Sequence, residues 1–138
     1  MANTGRSASR RLLVQAMYQY QITNHDEKVL RDQYGNGREA VRADKPFFEE
    51  LLTEMMESLD SMDERLSSWA DRPVDQIDPI EHAVLWLGVT ELQYHPDVPT
   101  KVIINEAVEL CKLFGAQDGH RYVNALLDKA AKDLRPES

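Results

Sequence analysis

Apolar and polar positions alternate with helical spacing in two neighbouring stretches near the C-terminus, residues 98–134. One helix face of the first stretch is apolar at Ile103, Ala107, Leu110, Cys111 and Phe114. The second stretch has the same kind of face at Val123, Leu126, Leu127, Ala130 and Leu134. Gly115 follows the first face as a left-handed C-cap would, and Asp118 is placed to cap the second helix. The pattern predicts a helical hairpin with one continuous apolar surface.

The same spacing predicts helices in most of the remaining chain. Residues 8–23 form one amphipathic helix after a short polar tail, and residues 27–34 form a weaker one. A long helix is expected over residues 44–70, where apolar positions again follow one side. Asp78 and Pro79 are a typical helix start, and the helix that follows to residue 94 is apolar nearly all round, as expected for the central helix. The sequence therefore predicts an all-α fold.

Composition narrows the class of protein. The 138 residues are 42% hydrophobic and 29% charged, which is typical of one globular domain with its own core. No apolar run reaches the roughly 20 residues that a membrane helix needs, and no secretory signal is visible. The single cysteine fits a reducing cytoplasm and, because it lies on the apolar face of the hairpin, is expected to be buried.

Charge is distributed unevenly along the chain, whose net charge is −8. Residues 1–23 carry three arginines and no acid, whereas residues 74–100 carry five acids and no base. This polarity indicates a nucleic acid at the basic end and a cationic partner at the acidic end. A generally acidic surface with an incidental basic tail explains the totals equally well.

Few residues suggest chemistry. On the first helix Arg11, Gln15 and Tyr18 share one face, where a guanidinium suits phosphate and an amide and a ring suit an unstacked base. The alternative is a solvated face with Tyr18 packed against a neighbouring helix. Trp69 either closes the core or presents its ring to a base. The four histidines lack metal-ligand spacing, and no nucleophile elbow or glycine-rich nucleotide loop is present, so neither enzyme activity nor a cofactor is expected.

The C-terminal hairpin also carries a family resemblance. In order and spacing, it is similar to the signature of the NusB family of bacterial antitermination factors at Asn105-Glu106-Ala107, Phe114-Gly115-Ala116, Val123-Asn124 and Leu127-Asp128-Lys129. The likeness extends to residues 10–20 and, more loosely, to residues 80–92. It implies a single NusB-like domain, residues 1–138, of about seven helices in two packed helical sub-bundles. The expected sub-bundles are residues 8–72 and 73–135, joined between the long helix and Pro73.

The resemblance implies that the protein is not an enzyme, that it is cytoplasmic and that it does not bind a membrane. The protein would bind boxA-type single-stranded RNA of ribosomal RNA transcripts together with NusE, a small-subunit ribosomal protein, within an RNA polymerase antitermination complex with other Nus factors. The residues expected to bind RNA are Arg6, Arg10, Arg11, Gln15, Tyr18, Trp69, Gln117, Asp118 and Tyr122. The residues expected to contact the partner are Asp75, Gln76 and Glu81. Because the N-terminus has few cations, we expect weak RNA binding without the partner.

Two other classes of function stay open. One is a stand-alone relative of the RNA-binding domain of a ribosomal RNA methyltransferase, although no cofactor-binding half is expected beyond Ser138. The other is a protein-binding adaptor that makes no direct RNA contact, which the acidic net charge favours.

Overall fold

The computed structural model describes residues 4–115 and 118–137, and all regular structure within these ranges is helical. Two short 3-10 helices, Arg38–Arg42 and Val74–Gln76, lie between the longer elements. The α-helices are α1 (Thr4–Thr23), α2 (Glu27–Gly35), α3 (Lys45–Trp69), α4 (Pro79–Tyr94), α5 (Thr100–Phe114) and α6 (Gly119–Leu134). The all-α prediction is confirmed, with six α-helices where about seven were expected.

The chain divides into two compact units, the first ending at Glu57 and the second beginning at Ser58. This division lies inside α3, whereas the join predicted from the sequence falls between the long helix and Pro73. A continuous helix explains the difference, because one end of α3 supplies core residues to the first unit and the other end supplies them to the second. The sub-bundle boundary at Pro73 stays a prediction.

The core of the first unit comes from α1, α2 and the beginning of α3. Its buried apolar residues include Leu13, Val14, Met17, Leu30, Phe48, Leu51 and Met55. Helix α1 begins at Thr4, so residues 4–7 are helical and not the polar tail that the sequence predicted. The start of α1 is tied to the start of α3, since the Asp44 N–H donates to the Gly5 carbonyl at 3.0 Å and Ser9 Oγ donates to the Asp44 carbonyl at 2.7 Å.

The second unit is built around α4, as the sequence predicted. Residues 81–92 of α4 are all buried, and α5 and α6 pack against this helix and against each other. Gly88 permits the close approach of α6, because a Cβ at this position would lie 2.9 Å from both Leu127 methyl carbons. The apolar faces predicted for the hairpin are largely buried, and so is Cys111.

Helix ends follow the sequence in one case and depart from it in another. Asp78 caps α4 as predicted, since its carboxylate accepts the N–H groups of Ile80 at 3.0 Å and Glu81 at 3.2 Å. Gly115 is not the left-handed C-cap that we expected, because its φ is −101° and its ψ is −171°. Its missing side chain matters instead for packing, since a Cβ would lie 2.9 Å from the Cys111 carbonyl oxygen.

Candidate nucleic-acid interface

Three of the predicted RNA-binding residues lie together on the outer face of α1. Arg11 and Tyr18 are exposed, Tyr18 by 40%, and Gln15 between them is half-buried. The Gln15 amide donates to the Arg11 carbonyl at 3.1 Å, which holds it along the helix. We call this set, Arg11, Gln15 and Tyr18, the α1 stripe. It presents a guanidinium, an amide and a phenol ring to solvent on consecutive turns of one helix.

The two neighbouring arginines, Arg6 and Arg10, differ in how far their side chains are exposed. Arg6 lies over the Phe47 ring, with 4.5 Å between its guanidinium carbon and the ring centroid, and its Nε is 3.8 Å from the Asp44 carboxylate. About a third of the Arg6 side chain is exposed, 33%, so solvent reaches part of it. A phosphate at Arg6 would therefore compete with Asp44.

Arg10 is not a surface residue, which is contrary to the exposed position that an RNA contact requires, and its role in RNA binding stays a prediction. Only 1% of its surface is exposed, and its guanidinium carbon is 5.1 Å from the centroid of the Phe47 ring. Helical spacing explains the burial, because Leu13, Val14 and Met17 follow Arg10 at i+3, i+4 and i+7 and are all buried. This signal was present in the sequence, but the charge of the side chain obscured it.

Trp69 is also buried, so the expectation that its ring stacks on a base from the surface is wrong. The residue is 8% exposed at the end of α3, and its indole Nε1 donates a hydrogen bond to the Asp133 carboxylate on α6. The Lys129 ammonium donates to the Trp69 carbonyl at 3.3 Å. The ring thus joins α3 to α6 and closes the core of the second unit, which is the alternative that the sequence left open.

Tyr122 carries a cation on its ring that the sequence did not reveal. The Arg72 guanidinium carbon lies 4.0 Å from the ring centroid, which is a cation–π distance. The Tyr122 hydroxyl is buried and has no hydrogen-bond partner among the described residues, and burial raises the pKa of this phenol. Because Arg72 is fifty positions earlier in the chain, no local pattern predicts this pair. A base stacking on that face of Tyr122 would have to displace Arg72.

The turn before α6 is only partly described. Asp118 is exposed and occupies the N-cap position, but its side chain makes no capping hydrogen bond, so the predicted capping role is wrong. Its carboxylate is therefore available to accept hydrogen bonds from a ligand. Gln117 lies outside the described residues.

The three predicted partner contacts are not equivalent. Asp75 and Gln76 are exposed on the second 3-10 helix, Val74–Gln76. Glu81 is only 7% exposed, and it lies against the start of α6, where a Cβ at Gly119 would be 2.9 Å from the Glu81 carboxyl carbon. Burial is the main cause that raises the pKa of Glu81, followed by the nearby Asp78 charge, while Arg72 lowers it. Little of the Glu81 carboxylate is left for a partner to contact.

Cys111 and His82, whose side chains are of reactive types, are both held within the packed second unit. Burial raises the pKa of the Cys111 thiol to about 12, so the nucleophilic thiolate is scarce at neutral pH. His82 Nε2 is 2.7 Å from Asp63 Oδ1, which also accepts the Trp86 indole N–H at 2.8 Å. The imidazole is thus part of a hydrogen-bonded pair between α3 and α4.

Among the described helices, none combines the length and the apolar character that crossing a membrane requires.

Sequence comparisons place this chain among known proteins. The family model described as the NusB family matches residues 7–132. A transcription antitermination protein NusB of Mannheimia succiniciproducens is 40% identical over 129 residues, which is 94% of this chain and 90% of that protein. The NusB protein of Hydrogenovibrio crunogenus is 42% identical over 131 residues, covering 94% of this chain and 81% of the relative.

Solved structures agree with these relatives. The structure of T. maritima NusB has a TM-score of 0.84 and 25% identity, covering 96% of this chain and 94% of that chain. A crystal structure of the antitermination factors NusB and NusE in complex with double-stranded RNA has a TM-score of 0.81. It covers 93% of this chain and 96% of that chain at 18% identity, which supports the fold alone. Because the family model matches nearly the whole length of this chain, the chain belongs to the NusB family.

Proposed function

We propose that this protein is a transcription antitermination factor that binds the boxA element of ribosomal RNA transcripts together with NusE. The proposal places it in the cytoplasm, in an RNA polymerase complex with other Nus factors, and assigns it no catalytic residue. One observation carries it: the NusB family model matches residues 7–132, and relatives that are about 40% identical are named transcription antitermination proteins.

The α1 stripe supports the RNA part of the proposal. The Arg11 guanidinium can pair with a phosphate through two parallel hydrogen bonds, and the exposed Tyr18 ring offers a face for base stacking. Arg6 adds a cation near the start of the same helix, with about a third of its side chain exposed. In the second unit, the exposed Asp118 carboxylate can accept hydrogen bonds from base amino groups. Gln117 and Tyr122 complete the proposed set, with Tyr122 contributing the part of its ring that Arg72 does not cover.

The acidic segment supports the partner part. Residues 74–100 carry five acids and no base, and Asp75 and Gln76 are exposed at its beginning. A cationic ribosomal protein would be steered to this segment, which speeds association more than it tightens the complex. Glu81, being buried, would shape this surface from beneath and not contact the partner directly.

The arrangement also predicts how binding is divided between the two proteins. With few exposed arginines on α1, the protein alone neutralises few phosphates, and its affinity for RNA should be low and only weakly dependent on salt. NusE would supply further contacts to the same RNA. Base-specific contacts would then select boxA, while phosphate contacts fix the register of the strand.

Fluorescence anisotropy of a labelled boxA-type RNA tests the proposal. The RNA is titrated with this protein, with and without NusE, against a scrambled RNA and an RNA duplex, at several salt concentrations. The matched variants are Arg11→Glu and Lys132→Glu, which change the net charge equally, and Lys132 lies exposed at the far end of α6. We expect boxA-selective binding that NusE strengthens, that Arg11→Glu weakens, and that Lys132→Glu leaves nearly unchanged.

A protein-binding adaptor is the second candidate, and the net charge of −8 favours it. An adaptor would bind NusE tightly, would give no boxA-selective signal with or without NusE, and would keep its affinity for NusE in the Arg11→Glu variant. That result would contradict RNA recognition by the α1 stripe.

A further inference from the structure

A groove in the first unit brings arginines together from two elements. It has a volume of about 510 Å³ and lies between α1 and the first 3-10 helix, Arg38–Arg42. Helix α1 contributes Arg11 and Gln15, and the 3-10 helix contributes Arg38 and Arg42. We call this feature the arginine groove. Two members of the α1 stripe therefore line it, and the arginines of the 3-10 helix were not among the RNA-binding residues expected from the sequence.

Both walls are held in place by hydrogen bonds. The 3-10 helix ends next to Asp44, whose N–H donates to the Gly5 carbonyl at 3.0 Å. Ser9 Oγ bridges the same two segments, since its single hydrogen is shared between the Asp44 carbonyl at 2.7 Å and the Gly5 carbonyl at 3.1 Å. Asp44 also accepts the Phe47 N–H at 3.1 Å, which anchors the segment to α3. The groove is thus a preformed feature of this unit.

The charge of the groove is available to a ligand. Arg11, Arg38 and Arg42 are all exposed, and in residues 4–115 and 118–137 no hydrogen bond or ion pair occupies their guanidinium groups. Glu39 is the carboxylate among the lining residues, so the groove keeps a positive balance in a chain whose net charge is −8. Three unpaired guanidinium groups around one depression repel one another until an anion neutralises them.

The apolar part of the groove distinguishes among anions. Val41, which is 85% exposed, lines the groove together with the aliphatic side chains of Ala8 and Leu12. A free phosphate ion uses only the charge, whereas a nucleic-acid strand brings repeated phosphates and bases whose faces pack on apolar and guanidinium surfaces. The groove also runs into the α1 stripe through Arg11 and Gln15. Charge and continuity therefore both favour single-stranded RNA.

We infer that the arginine groove binds the phosphate backbone of RNA that flanks the boxA element, through Arg38 and Arg42 acting with Arg11. The inference rests on the proposed function for the identity of the RNA. The groove would add a second binding surface that recognises no particular base and increases the number of nucleotides bound. Because it acts on phosphates, the contact depends on RNA length and salt and not on the flanking sequence.

The test compares RNA length in wild type and in the double variant Arg38→Ala/Arg42→Ala. A short RNA holds boxA alone, and a longer RNA adds oligouridine to each side. NusE and a long oligouridine without boxA are titrated separately. The matched control is Lys28→Ala/Lys132→Ala, which removes the same charge at exposed positions outside the groove. All four side chains are exposed, so unfolding curves of both variants should overlay that of wild type.

We expect wild type to bind the longer RNA more tightly than the short one, and the groove variant to lose that gain. For two lost phosphate contacts, the slope of log affinity against log salt should fall by about 1.4, and the longer RNA should bind on the order of tenfold more weakly. The short RNA and the control variant should be nearly unaffected. Equal length dependence in wild type and the groove variant would overturn the inference while leaving boxA recognition intact.

Other outcomes separate the inference from the function on which it rests. If wild type prefers boxA over scrambled RNA but gains nothing from flanking uridines, the groove inference fails alone. If no RNA is preferred, but the groove variant still loses affinity for long oligouridine, the proposed function fails and the groove remains an RNA site. If the groove variant loses affinity for NusE and keeps its RNA affinity, the groove is a protein-docking surface and the inference is wrong.

Discussion

Adjacent arginines on α1 should respond to the same mutation in opposite ways. Arg10 is buried over Phe47, whereas Arg11 is exposed on the α1 stripe. Replacing either by alanine removes one positive charge and the same number of atoms from the same helix. We predict that Arg10→Ala destabilises the protein, and that Arg11→Ala weakens RNA binding without affecting stability.

The size of the Arg10 effect follows from its surroundings. A desolvated cation–π contact contributes about 1–2 kcal/mol, and each buried methylene contributes about 0.8 kcal/mol. Alanine loses the contact with Phe47 and two buried methylenes, so the free energy of unfolding should fall by about 3 kcal/mol. Arg10→Met keeps the apolar stem and should recover about half of that loss. For Arg11, an exposed residue, we expect a change within about 0.5 kcal/mol.

The RNA measurement should show the reverse order. Loss of one phosphate contact lowers the slope of log affinity against log salt by about 0.7 for a single strand. An exposed ion pair contributes up to about 1 kcal/mol, so Arg11→Ala should weaken boxA binding by up to about fivefold. Arg10→Met should keep wild-type affinity at a temperature where it is fully folded.

Urea unfolding followed by circular dichroism measures the first quantity, and RNA anisotropy measures the second. The reasoning would be refuted if Arg10→Ala unfolded at the wild-type urea concentration and lost RNA affinity to the same degree as Arg11→Ala. That pair of results would put the Arg10 guanidinium at the surface, in contact with RNA. The stability result alone decides the burial of Arg10 and does not depend on the proposed function.

Three further predictions concern the second unit. Trp69→Phe and Asp133→Ala should each lower the free energy of unfolding, measured in urea, by about 1 kcal/mol. The double variant should lose clearly less than the sum of the two single losses, because both substitutions remove the same hydrogen bond; additive losses would contradict this. Glu81→Gln should stabilise the protein at pH 7 but not at pH 4. Burial raises the folded-state pKa of Glu81. The wild-type protein therefore loses stability as the pH rises from about 4 through that pKa, whereas the glutamine variant does not. A stability difference between these two proteins that is the same at both pH values would refute the assigned cause. Gly88→Ala should destabilise by about 1–2 kcal/mol through overpacking against Leu127, and Leu127→Ala in the same chain should remove that penalty; a penalty that persists would place the clash elsewhere.

The helices and the family were accessible from the sequence because both depend on local order. Apolar spacing identified α1, α3 and the C-terminal hairpin, and Asp78 with Pro79 marked the start of α4. The NusB signature was readable for the same reason, since its residues follow one another along two adjacent helices. Gly115 shows the limit of local inference, because a glycine after a helix suggests a left-handed cap, whereas this one serves close packing.

The candidate site was predicted less well, because its residue types suit both core and surface. Arginine, tryptophan and tyrosine each join an apolar body to a polar end, so composition does not decide on which side of the surface they lie. Arg10 and Trp69 were expected to bind RNA, and the structure buries both. Arg11 and Tyr18, which have the same kinds of side chain, are exposed.

The sequence by itself therefore determined where most of the helices lie, which residues share a helix face, and to which family the chain belongs. Only the tertiary structure decided which faces are covered and which distant residues meet. Arg72 lies on Tyr122, and Arg38 and Arg42 line one groove with Arg11, because segments far apart in the chain pack together. Helical periodicity is set by hydrogen bonds four residues apart, whereas the partner of a face is set by packing between elements, which no local spacing records.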